Sequence, residues 1–162
     1  MAVEVVLGLG SNLGPDRHIP RACDTLRGWL AGCRFSRVYA CPPVGFEGPD
    51  YWNLIACGAT DLPLSALKAR LVALERQSGR TGNEPPLTGR TLDIDILFYG
   101  DWQGRFGDIE LPRPGMLSHA YTLRPLAELL PQRVHPGTGR TLADHWADYP
   151  GPDDLVPVSY VP

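Results

Sequence analysis

The chain has 162 residues, 43% of them apolar, and a formal net charge of −3, which fits one domain over 1–162 with a single core and excludes a disordered protein. No apolar run approaches the roughly 18 residues that cross a bilayer, so we expect no membrane-spanning segment. The slightly acidic balance argues against general nucleic-acid binding, although locally clustered arginines can still hold a small polyanion.

The cysteines and the N-terminus indicate the compartment. Cys23, Cys33, Cys41 and Cys57 form no CxxC pair and stand among apolar residues. Reduced thiols in the cytoplasm are the simplest interpretation of this scatter. The apolar stretch 5–9 follows no basic region and is interrupted by a glycine, so it predicts a strand and not a signal peptide.

Hydrophobic periodicity in the first half of the chain predicts the order strand, helix, strand, strand, helix. Alternating β-branched residues indicate strands, whereas apolar residues spaced by three and four indicate amphipathic helices, the first of which stops at Gly32. The segment 41–49 is rich in proline and glycine and predicts a loop. The predicted elements are a strand at 3–10, a helix at 16–29, strands at 35–39 and 52–60, and a helix at 63–79.

The second half of the chain adds one more strand and several C-terminal additions. Glycine, proline and polar residues at 79–89 predict a long mobile loop before a fourth strand at 92–99. The complete order βαββαβ predicts an α+β fold of the ferredoxin-like kind, an antiparallel sheet with helices packed on one face. Beyond it we expect a short helix at 124–130, a weaker one at 141–146 and a proline-rich tail at 149–162.

A pair of carboxylates on the fourth strand is the strongest chemical signal. Side chains alternate along a strand, so Asp93 and Asp95 share one face. Magnesium prefers oxygen ligands, commonly one or two carboxylates with substrate phosphates, and it relieves the repulsion between adjacent carboxylates. The pair predicts a magnesium site used in phosphate chemistry, the alternative being a solvated strand face. The residues expected to point the other way, into the core, are Leu92, Ile94, Ile96 and Phe98.

Arginines bracket the loop that precedes the carboxylates. Arg80 and Arg90 stand near its two ends, and a phosphate chain held by metal ions needs positive donors of this kind. Together with the aspartates they predict a polyphosphate-binding site, although each arginine alone also fits a solvated surface role. Glu75, near the end of the second helix, is either a helix-surface acid or a supporting member of the site.

Other signals favour no competing chemistry. The glycines of 8–14 follow a strand, but their spacing is not GxGxxG and no acidic residue ends the second strand. A turn, or a loop lining a site, is favoured there over a dinucleotide site. The four histidines have no metal-ligand spacing, and no serine has the GxSxG setting of a hydrolase nucleophile.

Five short motifs are GLGSNLG at 8–14, PPVG at 42–45, YWN at 51–53, LERQSGR at 74–80 and GRTLDIDI at 89–96. They resemble the 6-hydroxymethyl-7,8-dihydropterin pyrophosphokinases of folate biosynthesis, and the likeness extends from residue 3 to about residue 146. This resemblance implies the ferredoxin-like fold. It also implies transfer of pyrophosphate from ATP to the pterin alcohol, with AMP as the second product.

The resemblance assigns roles at the ATP end of the site. Asp93 and Asp95 would hold two magnesium ions that bridge the triphosphate. Arg80 and Arg90 would bind phosphates and help the loop close over them, which excludes water. The remaining residues that it assigns to ATP are Glu75, Ile96, Arg113 and His119.

The resemblance also assigns a pterin site. Tyr51 and Tyr121 would stack on the flat bicycle, and Asn53 would hydrogen bond to its edge. Backbone groups near Cys41 and Val44 would complete the pocket.

The sequence departs from the family pattern at four positions. Arg113 and His119 stand where the family more often has histidine and arginine, so we expect weaker phosphate binding by the partly charged His119. Gly82 and Leu87 replace an arginine and a tryptophan of some members. A non-catalytic pterin or nucleotide binder is therefore the alternative function, and an RNA-binding module is disfavoured by the acidic pair. No unaccounted apolar stripe indicates an interface, so we expect a monomer.

Overall fold

The computed structural model describes residues 1–162, and the predicted α+β fold is confirmed. Its centre is an antiparallel sheet with the strand order β5-β1-β4-β3-β8, in which β2 also pairs with β4. The strands are β1 Val3–Ser11, β2 Ala31–Phe35, β3 Tyr39–Cys41, β4 Tyr51–Thr60, β5 Asp93–Tyr99, β6 Gly104–Phe106, β7 Ile109–Leu111 and β8 Val156–Pro157. The helices are α1 Pro15–Trp29, α2 Leu64–Gln77, α3 Ala120–Leu129 and α4 Leu142–Ala147.

Helices cover both faces of the sheet. On one face, α1 and α2 pack against alternate residues of β1 and β4, such as Leu7 and Ala56, in the larger core cluster. On the other face, Val6 and Ile55 pack against α3 and α4 in a second cluster. The expectation of helices on one face therefore holds for α1 and α2, and the C-terminal helices cover the opposite face, where β1 and β4 also present apolar side chains.

A β-bulge interrupts the alternation of β5. Val6 pairs with Phe98 while the next residue of β1, Leu7, pairs with Ile96, so Leu97 is the extra residue. Leu97 and Phe98 consequently both belong to the core under α3, whereas Ile94 and Ile96 belong to the core under α1 and α2. The predicted orientation of Phe98 on the same face as Ile96 is wrong, because uniform alternation does not survive a bulge.

The strand predicted at 35–39 is wrong, since the chain forms two short strands there. β2 ends at Phe35 and β3 begins at Tyr39. Between them Ser36 stays attached to β4, because its N–H donates to the Ile55 carbonyl while its hydroxyl accepts from the Ile55 N–H at 2.9 Å. A side-chain oxygen thus replaces a carbonyl in the ladder, and the strand geometry is lost for three residues.

The C-terminal half contains more regular structure than the sequence predicted. α3 begins at Ala120, four residues before the predicted start, and accommodates Pro125 in its interior. β6 and β7 form an unpredicted hairpin. The proline-rich tail includes β8, which pairs with β3. None of the four helices combines the length and hydropathy needed to cross a bilayer.

A substitution at Gly58 of β4 tests how closely the segment that joins α1 to β2 packs against this strand. A Cβ at residue 58 would lie 2.8 Å from Leu30 Cβ and 3.1 Å from the Ala31 carbonyl oxygen, so the backbone would have to move. We expect Gly58→Ala to lower the free energy of unfolding by about 1–3 kcal/mol in urea titrations. The matched control is Gly28→Ala in α1, where a Cβ meets nothing within 4 Å and alanine favours the helix by about 0.5–1 kcal/mol. Equal stability of the two variants would contradict the packing argument.

Candidate active site

A cavity of about 360 Å³ opens on the α3 side of the sheet. Its floor is formed by β1, β4 and β5, and its walls by the segments 41–46 and 113–122. The lining residues are Gly8, Leu9, Gly10, Cys41, Pro42, Pro43, Val44, Phe46, Tyr51, Asn53, Leu54, Ile55, Asp93, Asp95, Leu97, Arg113, Pro114, Gly115, Met116, His119, Tyr121 and Thr122. The lining combines apolar side chains with a few convergent charged groups, as the lining of a ligand site commonly does.

The floor of the cavity is open because glycines stand opposite the aspartates. In the β1–β5 register, Gly8 pairs with Asp95 and Gly10 pairs with Asp93. Opposed residues of an antiparallel pair place their side chains on one face, so any larger residue at 8 or 10 would stand beside a carboxylate. Both glycines lie in β1, as the strand predicted at 3–10 implied, and they line the cavity as strand residues and not as part of a turn or loop.

Each aspartate has an arginine neighbour. Arg80 Nη1 lies 3.3 Å from Asp93 Oδ1, and Arg113 Nη2 lies 3.4 Å from Asp95 Oδ1. Burial, and then the charge of Asp93, raise the pKa of the Asp95 carboxyl to about 6, against the opposing effect of Arg113. The two arginines therefore compensate the paired negative charge incompletely, and further positive charge is favoured at this point of the cavity.

The donor set fits magnesium bound together with phosphate oxygens. No cluster of three or more acidic, histidine or cysteine side chains is present to enclose an ion. Asp93 and Asp95 instead provide two carboxylates on a floor that glycine leaves uncovered. Magnesium commonly takes one or two carboxylates and completes its octahedron with water and substrate phosphates, so this pair suits a metal that arrives with a nucleotide.

Glu75 and Arg80 support the aspartates from behind. β5 is an edge strand, and Glu75 Oε2 accepts its Ile94 N–H at 2.8 Å. Arg80 Nη1 donates to the Leu92 carbonyl at 2.9 Å. Arg80 Nε also lies 3.0 Å from Glu84 Oε2, and this contact is an ion pair without hydrogen-bond geometry. Burial, despite the Ile94 hydrogen bond, raises the pKa of Glu75 to about 7. Because Glu75 and Arg80 hold the backbone on either side of Asp93, they fix the position of its carboxylate.

Asn12 joins the loops at the rim of the site. Its side chain is buried; Oδ1 accepts the Arg90 N–H at 2.8 Å, and Nδ2 donates to the Pro49 carbonyl at 3.2 Å. The Arg90 guanidinium donates to the carbonyls of Pro85, Thr88 and Gly89 and to the Thr88 hydroxyl. Arg90 therefore shapes the loop that precedes the aspartates. Sequence reasoning assigned Asn12 no role, because its partners lie far away along the chain.

All five residues predicted for the pterin line the cavity. Asn53 Nδ2 lies 3.5 Å from Cys41 Sγ, and Tyr51 lies beside Gly10 on the floor. Tyr121 stacks on His119, with ring centroids 4.9 Å apart. The fifth residue, Val44, is exposed at the rim.

The residues predicted for ATP divide into two groups. Arg113 and His119 line the cavity with the aspartates, whereas Glu75, Arg80 and Arg90 lie behind it or at its rim. The Ile96 side chain belongs to the core on the opposite face of the sheet, so its backbone is the part that remains available on the cavity side. An ATP contact by Ile96 stays a prediction.

Sequence reasoning missed other lining residues. Met116 and Phe46 contribute apolar surface to the cavity. An aromatic residue in a proline- and glycine-rich loop was an available signal for Phe46. Nothing in the local sequence distinguishes Met116 from a core methionine.

Comparison with known proteins identifies the family. The sequence model of the family described as 7,8-dihydro-6-hydroxymethylpterin-pyrophosphokinase matches residues 6–131. The chain belongs to this family. The resemblance stated from the five motifs is thereby confirmed, and members of the 7,8-dihydro-6-hydroxymethylpterin-pyrophosphokinase family are enzymes that transfer pyrophosphate.

Three pyrophosphokinases align with this chain over most of their own length. The chain is 34% identical over 146 residues to a 2-amino-4-hydroxy-6-hydroxymethyldihydropteridine pyrophosphokinase of Synechocystis sp., covering 85% of this chain and 71% of the relative. It is 34% identical over 136 residues to the protein of that name from Aquifex aeolicus, with coverages of 82% and 83%. For the Pseudomonas aeruginosa protein the identity is 35% over 156 residues, with coverages of 93% and 94%.

The raised pKa of Asp95 predicts a stabilising substitution. A carboxyl with a raised folded-state pKa contributes stability that is present below about pH 4 and is lost as the pH rises through about 6. In metal-free protein near neutral pH, Asp95→Asn should therefore raise the free energy of unfolding by about 1 kcal/mol, a figure reduced for solvent screening. Urea unfolding in a chelator measures this. The gain should vanish near pH 4, and the exposed control Asp101→Asn should show none.

A substitution at Gly8 tests whether the reaction needs the space that glycine leaves beside Asp95 on the cavity floor. A Cβ at residue 8 would lie 3.6 Å from the Leu97 methyl groups, an ordinary contact, so Gly8→Ala should fold with unchanged stability. The added methyl group would nevertheless occupy the floor beside Asp95. We expect kcat/KM for pyrophosphoryl transfer to fall about tenfold or more, a loss of about 1.4 kcal/mol of transition-state binding. Full activity of this variant, alongside an unaffected Gly28→Ala control, would refute the proposed need for space at residue 8.

Proposed function

We propose that the chain transfers the pyrophosphoryl group of ATP to the hydroxymethyl group of 6-hydroxymethyl-7,8-dihydropterin, giving AMP and the pterin diphosphate in folate biosynthesis. The observation that supports this most directly is the placement of Asp93 and Asp95 opposite glycines on the floor of a cavity with an aromatic end. A site of this kind has one end suited to a flat heteroaromatic ring and another suited to charged phosphates.

The aromatic end is proposed to hold the pterin. Tyr51 and Tyr121 supply ring faces, and the Asn53 amide supplies a donor and an acceptor for the polar edge of the bicycle. Phe46 and Met116 add apolar surface. Tyr121 is already packed on His119, so one of its faces is supported before any ligand binds. Such preorganisation lowers the entropic cost of binding.

The charged end is proposed to hold the triphosphate. Asp93 and Asp95 would hold two magnesium ions, which would supply positive charge against the charge that develops on the phosphate oxygens. Arg113 and His119 lie on the cavity side of the aspartates and are placed to receive phosphate oxygens. Arg80 and Arg90 join them by closure of the 80–90 loop.

The reaction itself requires positioning and exclusion of water. The pterin hydroxyl attacks the β-phosphorus; a new O–P bond forms, the bridge between the α- and β-phosphates breaks, AMP leaves and the hydroxyl proton is released. The loops 41–49 and 80–90 meet over the rim, where a Leu87 methyl group lies 3.2 Å from the position of a Cβ on Gly45. Leu87 and Val44 are exposed there, and closure over the ligands would bury them and keep water from competing.

A non-catalytic binder of pterin or nucleotide is the second candidate. It is favoured by the Arg90 guanidinium, whose hydrogen bonds are made to its own loop. A binder has little use for two aspartates on an uncovered floor, and for this reason the enzyme is preferred.

The protein is proposed to act alone on small molecules. The tail packs on the sheet that carries the site, which supports a single domain over 1–162. The net charge of −3 supports the absence of nucleic-acid partners. We also propose that the protein is a monomer. All four cysteines are free thiols, which supports the cytoplasm as the compartment.

Formation of AMP tests the proposed function. Purified protein is incubated with ATP, magnesium and 6-hydroxymethyl-7,8-dihydropterin beside the variants Asp95→Ala and Arg90→Ala. We expect pterin-dependent AMP in the parent, and a loss of about 100-fold or more in kcat for Asp95→Ala, equivalent to about 2.7 kcal/mol. Controls are Asp101→Ala and Arg105→Ala, whose exposed side chains lie away from the cavity. A folded parent that binds the pterin without forming AMP would establish the non-catalytic binder instead.

A further inference from the structure

The C-terminal tail 149–162 is attached to the short strand that forms one wall of the cavity. In the pairing of β8 with β3, Val156 lies opposite Ala40 and Pro157 opposite Tyr39. The Val158 N–H extends the pairing by donating to the Val38 carbonyl at 2.9 Å. β3 ends at Cys41, which lines the cavity. Without the tail, this three-residue strand would be an edge strand held on one side only.

Leu155 connects that wall to the opposite one. Its buried side chain belongs to a small core cluster with Tyr39 and Cys41 of β3 and Ala120 of α3, and Tyr121 packs against the same cluster. Cys41 and Tyr121 are cavity-lining residues. Leu155 therefore lies behind both walls of the aromatic end.

A pair of charged residues fixes the backbone of Leu155. Arg124 Nη1 donates to both carboxylate oxygens of Asp153, at 3.2 and 3.0 Å, and Asp153 Oδ1 also accepts the Leu155 N–H at 3.3 Å. The Arg124 guanidinium lies 4.7 Å from the centre of the Tyr39 ring. Since Arg124 and Tyr121 are three residues apart on α3, they lie on neighbouring parts of one helix surface. The tail is thus tied to the same turn of α3 that presents Tyr121.

We propose that the tail 149–162 is a positioning element for the pterin end of the cavity, acting through Leu155 and the Arg124–Asp153 pair, an inference that rests on the proposed function. Leu155 does not line the cavity. It sets the separation of Cys41 on one wall from Tyr121 on the other, and hence the width available to the flat ring. The aspartates and the 80–90 loop at the phosphate end do not touch this cluster, and among the residues proposed for ATP only His119 adjoins it, by stacking on Tyr121.

The proposal predicts a substrate-selective effect. A looser aromatic end weakens pterin binding in the ground state and the transition state alike, which raises KM for the pterin with little change in kcat. Binding of ATP should change much less than binding of the pterin, because its proposed ligands other than His119 are held by other elements. A tail that merely stabilised the fold would alter both substrates equally or neither.

The test compares Leu155→Ala, Leu155→Met and Asp153→Ala in the full chain with a control variant, Asp148→Ala. The control removes a different exposed ion pair, the one between Asp148 and Arg140. Steady-state KM and kcat are measured for each substrate, pterin binding is measured by titration, and folding by thermal melting. For Leu155→Ala we expect KM and Kd of the pterin to rise about tenfold with KM for ATP within about twofold, and Leu155→Met to restore most of the loss. Asp153→Ala should shift the pterin KM in the same direction and less.

The outcomes distinguish a failure of the positioning role from a failure of the proposed function. Asp153 is partly exposed, so its alanine variant reports on the tail even where Leu155→Ala fails to fold. Active variants with an unchanged pterin KM, or with equal rises for both substrates, would overturn the positioning role while leaving the proposed function intact. A parent that neither turns over nor binds the pterin would overturn the proposed function, and this inference with it.

Discussion

The pairing of glycines on β1 with aspartates on β5 is the constraint on which the site depends. β1 lies between β4 and β5, so whatever it presents on the α3 face determines what can bind there. Gly8 and Gly10 present no side chain, and the carboxylates of Asp95 and Asp93 beside them remain accessible from the cavity. On the other face of the same strand, Val5, Leu7 and Leu9 are buried under α1 and α2. One strand therefore supplies both the core and the space for ligands.

This arrangement has a cost in stability. Burial beside Asp93 raises the pKa of the Asp95 carboxyl, so its ionised form is disfavoured in the free protein. Glu75 and Arg80 hold the edge strand that carries both aspartates, and they keep the two carboxylates together despite their repulsion. Binding of cations would relieve the repulsion between the two carboxylates. Active sites commonly keep such charges where a binding partner, and not the protein, completes their compensation.

The walls come from parts of the chain remote from the floor. Asn12 joins the start of α1, the 41–49 loop and the 80–90 loop by two side-chain hydrogen bonds, while Leu155 joins β3 to α3. The first connection lies at the rim of the cavity, and the second is proposed to fix the pterin end. Each depends on one small set of contacts between loops or short strands, whereas the floor depends on the long ladder of β1 with β4.

The sequence by itself determined the order of the main elements, the carboxylate pair and its basic neighbours, because hydrophobic period and residue chemistry are local properties. The motif resemblance further named every residue predicted for the pterin, and all of them line the cavity. Only the tertiary structure decided the bulge at Leu97, the division of the second strand at Ser36 and the docking of the tail. These features, like the opposition of Gly8 to Asp95, arise from hydrogen bonds between segments far apart in the chain, where register is set by packing of the whole sheet and not by any local pattern.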